Sequence, residues 1–145
     1  MTGGRGARIY DVLRETRPLV LNSARVVEAA LRDDGISVGM RAVLEVLATA
    51  GPLTVPGIAH RLDLARQGIQ RHVDDLAARG LVTAQTNPAH RRSVLVRLTE
   101  AGTALFDRVH DDELARLDTI AADCGDDEIA AALKVLRALN RDVRR

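Results

Sequence analysis

Gln67, Gln70, Arg71 and Asp74 are the residues whose types and spacing are best suited to chemistry. They recur at i, i+3, i+4 and i+7, so on a helix they share one face. Arg66 stands just before them, where the helix would begin. A glutamine amide pairs with the N6 and N7 edge of adenine, and a guanidinium forks onto O6 and N7 of guanine. Each good bidentate pair is worth about 1–3 kcal/mol of discrimination between bases. Asp74 repels phosphate, so its expected place is at the rim, or behind Arg71 or Gln70 as their orienting partner. A solvated polar face has a similar composition, so the neighbouring elements decide between the two readings.

Those neighbours are specific. Ile69, His72, Val73 and Leu76 occupy the opposite face and predict a helix over Arg66 to Arg79, stopped by Gly80. Upstream, Ser37 caps a helix that buries Met40, Val43, Leu44 and Leu47 and ends at Gly51-Pro52. Thr54 then caps a short helix carrying Val55, Ile58, Ala59 and Leu62 on one face. A three-residue turn, Asp63-Leu64-Ala65, leads into the polar-faced helix. Downstream the period changes from 3.6 to 2. Leu81 to Thr86 and Ser93 to Leu98 read as strands, with Val94, Val96 and Leu98 on one face. Helix, tight turn, helix and hairpin together predict a winged helix-turn-helix, whose second helix enters the major groove. The hairpin tip bears Arg91 and Arg92, placed to reach an adjacent narrow, A/T-rich minor groove. Its alternative is a merely soluble hairpin end. Thr54 and the amides behind it offer phosphate a helix N-terminus.

The flanks are helical. Ala7 to Leu31 is expected to break at Pro18, into a turn near Ile9–Arg14 and a helix from Pro18 to about Arg32. Asp33-Asp34-Gly35 closes it. Thr99 caps a long helix, Glu100 to Ala122, with Leu105, Phe106, Val109, Leu114, Leu117 and Ile120 as its apolar face. Asp126 is expected to cap a last helix that buries Ile129, Ala132, Leu133, Leu136 and Val143.

Bulk properties exclude much else. The chain has 145 residues, 46% hydrophobic and 28% charged, the composition of one soluble domain over residues 1–145. No run of about 18 apolar residues or signal-like segment occurs, so a cytoplasmic protein is expected. Net charge is only +1, but His60 to Arg97 carries +4 and Leu98 to the end −4. The middle is therefore a basic module, as nucleic-acid binding requires. Cys124 is the only cysteine and sits among Asp123, Asp126 and Asp127, the wrong charge for a reactive thiol, so it is read as incidental. His60, His72, His90 and His110 have no metal-ligand spacing with it, and His72 falls on an inward helix face. Adjacent acids such as Asp111-Asp112 diverge on a helix. No nucleophile-base pair or phosphate-binding glycine loop appears. No enzyme, cofactor or metal is expected. Asn22, Ser23 and Arg25, with Arg41, form a candidate site for an anionic effector, or else a solvated or interface face. One Tyr, one Phe and no Trp argue against a stacking pocket.

At the level of motif, the chain resembles the multiple antibiotic resistance regulator (MarR) family. The resemblance runs through Leu53-Thr54, Ile58-Ala59-His60-Arg61-Leu62, Arg66-Gln67-Gly68-Ile69-Gln70-Arg71, Leu76-Ala77-Ala78-Arg79-Gly80-Leu81-Val82, Asn87-Pro88, Arg92 and Val94-Leu95-Val96-Arg97-Leu98-Thr99-Glu100-Ala101-Gly102. It implies a mainly α fold with a small β-hairpin wing. The winged region would be 37–98, and residues 1–36 and 99–145 would interlock as an intertwined helical dimerisation region. The implied protein is a homodimer that binds a pseudo-palindromic duplex DNA operator, a repressor relieved by an effector. Thr54, Arg66, Gln67, Gln70, Arg71, Arg91 and Arg92 would contact DNA, and Asn22, Arg25 and Arg41 the effector. Two positions depart from the family pattern. His90 stands where an aspartate usually precedes the wing arginine, here Arg92, so the wing is expected to be held differently or more loosely, with pH-dependent binding. Ala65 stands where Ser or Thr commonly caps the recognition helix, at a cost of about 1 kcal/mol. The modest charge, His90 and Asp74 support an alternative, a winged-helix protein-interaction module that has lost DNA binding.

Overall fold

A computed structural model describes residues 3–144. In chain order they form α1 (Arg5–Leu31), a 3-10 turn (Arg32–Asp34), α2 (Val38–Ala50), α3 (Val55–Leu62), α4 (Arg66–Ala78), β1 (Val82–Thr86), β2 (Val94–Leu98), α5 (Glu100–Leu117) and α6 (Asp126–Val143). The chain divides into two units, one through Val109 and one from His110, the division falling within α5.

The first unit holds the core. α2 begins where the Ser37 hydroxyl accepts from the Met40 N–H at 3.1 Å, and it buries Met40, Val43, Leu44 and Leu47 as the periodicity predicts. Thr54 likewise accepts from the Gly57 N–H at 3.1 Å and starts α3, which buries Ile58 and Ala59. α4 closes the layer with Ile69, Val73 and Leu76. The strands pair antiparallel, with Val82 opposite Leu98, Ala84 opposite Val96 and Thr86 opposite Val94. Val82 and Val96 reach the core, while Val94 is exposed near the tip. Leu53 extends the hairpin by a reciprocal pair of backbone hydrogen bonds to Val96, at 3.1 and 2.7 Å. The loop before α3 is thereby tied to the wing.

α1 differs from expectation. It runs unbroken from Arg5 to Leu31 with Pro18 inside it. Proline removes one intrahelical bond and typically costs about 3 kcal/mol in a helix interior. Strong helix formers on both sides, among them Leu13, Arg14, Glu15, Arg17, Leu19 and Leu21, carry the helix across. Tyr10, Leu13, Leu19, Val20, Leu21 and Val26 on this helix are exposed.

The second unit also departs in detail. α5 ends at Leu117 rather than Ala122. The chain turns instead through residues 118–125, with the Thr119 hydroxyl donating to the Arg116 carbonyl at 2.8 Å and Ala121 at φ 50°. The cap of α6 is Gly125, not Asp126. Asp126, Asp127 and Glu128 occupy the first turn, where their charge suits the helix dipole. The Glu128 carboxylate reaches back to accept from the Gly125 N–H at 3.0 Å, the half of a capping box that satisfies the cap residue's own donor. The stripe expected to be buried is open in the single chain: Ile129, Leu133 and Val143 are exposed. Among the described residues no helix is long and apolar enough to cross a membrane.

Candidate nucleic-acid interface

Two helices and the hairpin position the candidate residues. Ile69 and Leu76 are fully buried and Val73 nearly so. That anchorage points Arg66, Gln67, Gln70, Arg71 and Asp74 outward, and all five are exposed. His72, on the inward side, is half-buried. It packs where Gly39 has no side chain: a Cβ on Gly39 would lie 2.3 Å from His72 Nε2. This glycine lets α2 and α4 approach across an imidazole, a role that the spacing of the two residues does not reveal.

The turn that orients α4 is built from backbone geometry. Asp63 adopts the left-handed conformation (φ 54°) and its N–H returns to Ala59 and His60 carbonyls, which ends α3. Ala65 then begins α4 without a side-chain cap. Ala65→Ser therefore adds an acceptor for the first-turn N–H groups. It should raise stability by about 1 kcal/mol, read as a higher urea midpoint at unchanged m-value. Gly80 leaves α4 at φ 71°, as expected of a helix-ending glycine.

Two consecutive turns form the wing tip. The His90 N–H donates to the Asn87 carbonyl at 3.2 Å and the Ser93 N–H to the His90 carbonyl at 3.1 Å. The Asn87 side chain braces both: its Oδ1 accepts from the Ala89 N–H at 3.0 Å, and its Nδ2 donates to Ser93 Oγ at 2.8 Å. Ser93 Oγ in turn donates to the His90 carbonyl at 3.1 Å. The tip is thus held through the Asn87 and Ser93 side chains. His90, Arg91 and Arg92 are all exposed on this braced tip. The Asn-Pro pair at 87–88 marks a turn in the sequence, but the cross-turn partnership with Ser93 becomes visible only once the hairpin register is known.

The candidate effector residues fall differently. Asn22 and Arg25 are exposed on α1, whereas Arg41 is half-buried on α2. The Arg41 guanidinium is 2.6 Å from the Glu45 carboxylate and 5.9 Å from the centre of the Phe106 ring. Cys124 is exposed.

A two-helix unit with its second helix turned outward, followed by a two-stranded hairpin with a basic tip, defines the winged helix-turn-helix class. Comparison with known proteins narrows the class. The family model described as MarR family matches residues 35–93. The crystal structure of a MarR family transcription regulator is 33% identical and superposes with a TM-score of 0.83, covering 96% of this chain and 92% of that one. An uncharacterized protein of Mycobacterium tuberculosis is 36% identical over 103 residues, 71% of this chain and 69% of its own length. A mutant MarR from E. coli, in a crystal structure with operator DNA, shares the fold at a TM-score of 0.75 and 22% identity, covering 94% of this chain and 99% of that one. This chain belongs to the MarR family of transcription regulators. The family consists of DNA-binding regulators, not enzymes.

Proposed function

We propose that the protein is a homodimeric, sequence-specific DNA-binding repressor. The observation that carries this reading is the outward face of α4: Arg66, Gln67, Gln70 and Arg71 stand exposed on a helix anchored by buried Ile69, Val73 and Leu76. Arg66, Gln67, Gln70 and Arg71 read the major groove, Arg91 and Arg92 grip near the minor groove, and the N-terminus of α3 at Thr54 faces phosphate. Residues 37–98 form the DNA-binding region.

Residues 1–36 and 99–145 form the dimerisation region. Tyr10, Leu13, Val20 and Leu21 lie within one arc of α1, and Ile129, Leu133 and Val143 within one arc of α6, all exposed in the single chain. Exposed apolar stripes of this kind mark interaction surfaces. In the dimer, the two α4 helices stand about 34–36 Å apart, one turn of DNA, to meet both halves of a pseudo-palindrome.

An effector releases the operator by favouring another spacing, and its leverage equals its differential affinity for the two states. Asn22, Arg25 and Arg41 are its proposed contacts. An anionic effector that contacts Arg41 must compete with the Glu45 carboxylate for it.

The test is a titration of the duplex upstream of the protein's own coding sequence, followed by fluorescence anisotropy. Saturable binding of two protomers per site, weakening as salt rises, is the expected result. No binding there or to any duplex drawn from a random pool would leave a winged-helix protein-interaction module instead.

A further inference from the structure

Asp74 is an acid on the face of α4 assigned to reading DNA, and it has a defined partner. Gln70 Nε2 donates to Asp74 Oδ1 at 2.9 Å, one helical turn away. A carboxylate only accepts, so the nitrogen side of the amide must face Asp74 and the oxygen side must face away. This pair therefore biases Gln70 toward that amide orientation, which a free glutamine exchanges readily, before any DNA arrives.

We infer that Asp74 is a specificity-determining, positioning residue: it biases Gln70 toward the amide orientation that favours adenine over guanine. The inference rests on the DNA-reading role proposed for α4.

The base chemistry follows from that orientation. With Nε2 committed to Asp74, Gln70 presents Oε1 outward as an acceptor, with one amide hydrogen left. Adenine offers a donor at N6 and an acceptor at N7, which match that pair. Guanine offers acceptors at both O6 and N7, so Oε1 meets another lone pair. A glutamine without Asp74 is free to turn its nitrogen outward and donate to guanine as well. Asp74 thus supplies selectivity by disfavouring the alternative, at the cost of a negative charge near the DNA backbone. Groove binding removes water from around the pair, which strengthens the hydrogen bond to the charged carboxylate at the moment it is needed.

Selection of duplexes from a randomised pool, followed by sequencing, tests this with three proteins: wild type, Gln70→Ala and Asp74→Ala. Both substitutions are at exposed positions, so folding is expected to be unchanged. Gln70→Ala identifies the base pair that Gln70 reads, as the column that loses preference. At that column the wild type should favour adenine over guanine by about tenfold or more, the discrimination of a good bidentate contact. Asp74→Ala should lower that ratio by about twofold or more, as loss of the Gln70–Asp74 pair allows, and leave the other columns unchanged. If Asp74 acted only by its charge, Asp74→Ala would instead tighten binding to all duplexes alike and leave the column's preference intact, which overturns the inference. It is equally overturned if Gln70→Ala changes no column. Failure of the wild type to enrich any sequence is a different result and overturns the DNA-reading role itself.

Discussion

Replacing Arg71 and Arg92 together by alanine is expected to cost the operator complex between about thirtyfold and about twenty-thousandfold in affinity. Arg71 stands on the exposed face of α4 and Arg92 on the exposed wing tip. One base-edge contact of the bidentate kind is worth about 1–3 kcal/mol, and a twofold dimer makes it twice, which is roughly 2–6 kcal/mol per operator. At about 1.4 kcal/mol per decade, that range gives the stated weakening from Arg71, with the phosphate or minor-groove contact of Arg92 added to it. The two substitutions should differ in character. Arg71→Ala alone should relax selectivity at one base pair per half-site, whereas Arg92→Ala alone should weaken all duplexes more evenly. Neither arginine is part of the core, so the thermal midpoint should move by no more than about 2 °C, since surface substitutions usually stay within about 0.5 kcal/mol. An affinity unchanged by the double substitution would remove both elements from the interface.

Gly102→Ala should lower stability by about 3 kcal/mol, at the upper end of what overpacking a tight site costs. A methyl group at Gly102 would sit 2.0 Å from the Leu81 carbonyl oxygen and 3.0 Å from its carbon. These are backbone atoms, and they cannot swing aside as a flexible side chain would. The surrounding bonds lock them in place. The Thr99 N–H donates to that same Leu81 oxygen at 3.1 Å. The Thr99 hydroxyl donates to the Gly80 carbonyl at 2.6 Å and accepts from the Gly102 N–H at 3.1 Å. The first turn of α5 is thus clasped to the turn that ends α4 and opens the wing. Separating them costs these hydrogen bonds as well as the packing. The melting temperature followed by circular dichroism should fall by roughly 10 °C, given how stability scales with unfolding entropy in a domain of this size. A shift under about 2 °C would mean that the two backbones do not approach this closely. Serine at position 99 should be tolerated far better, because it keeps the hydroxyl that makes both side-chain bonds.

The winged region is legible residue by residue, because each of its signals is local. Met40, Val43, Leu44 and Leu47 recur at helical spacing and are buried as a set. Ser37 and Thr54 are caps by type and by observed hydrogen bond. The outward and inward faces of α4 fall where the two interleaved periodicities place them. What stays hidden depends on partners distant in sequence. Asn87 meets Ser93 only through the hairpin, and Gly102 meets Leu81 only once α5 folds back. Gly39 and His72 are far apart in the chain, on α2 and α4. Local rules also misjudge Pro18, where the helix-forming strength of long flanking segments outweighs one breaking residue. At the C-terminal end, periodicity marks Ile129, Leu133 and Val143 as core, yet the stripe is open in the single chain. Periodicity reports that a face is to be buried, not by which chain. The orientation of Gln70 is a further case. Residue types alone leave Asp74 serving either Arg71 or Gln70, and the 2.9 Å bond selects Gln70.

The measurement that bears most directly on DNA binding by α4 and the wing is the salt dependence of affinity for the upstream duplex, in the wild type and in the Arg71→Ala/Arg92→Ala double variant. Each phosphate neutralised by an arginine releases condensed counterions, and log K falls with log salt by about 0.9 per neutralised phosphate. A dimer gripping through α4 and the wing should show a steep negative slope. The double variant should show a shallower one, by about 1 for each phosphate that an arginine no longer neutralises. A flat salt dependence in the wild type, or identical slopes in the two proteins, would contradict the assignment of these arginines to the DNA interface.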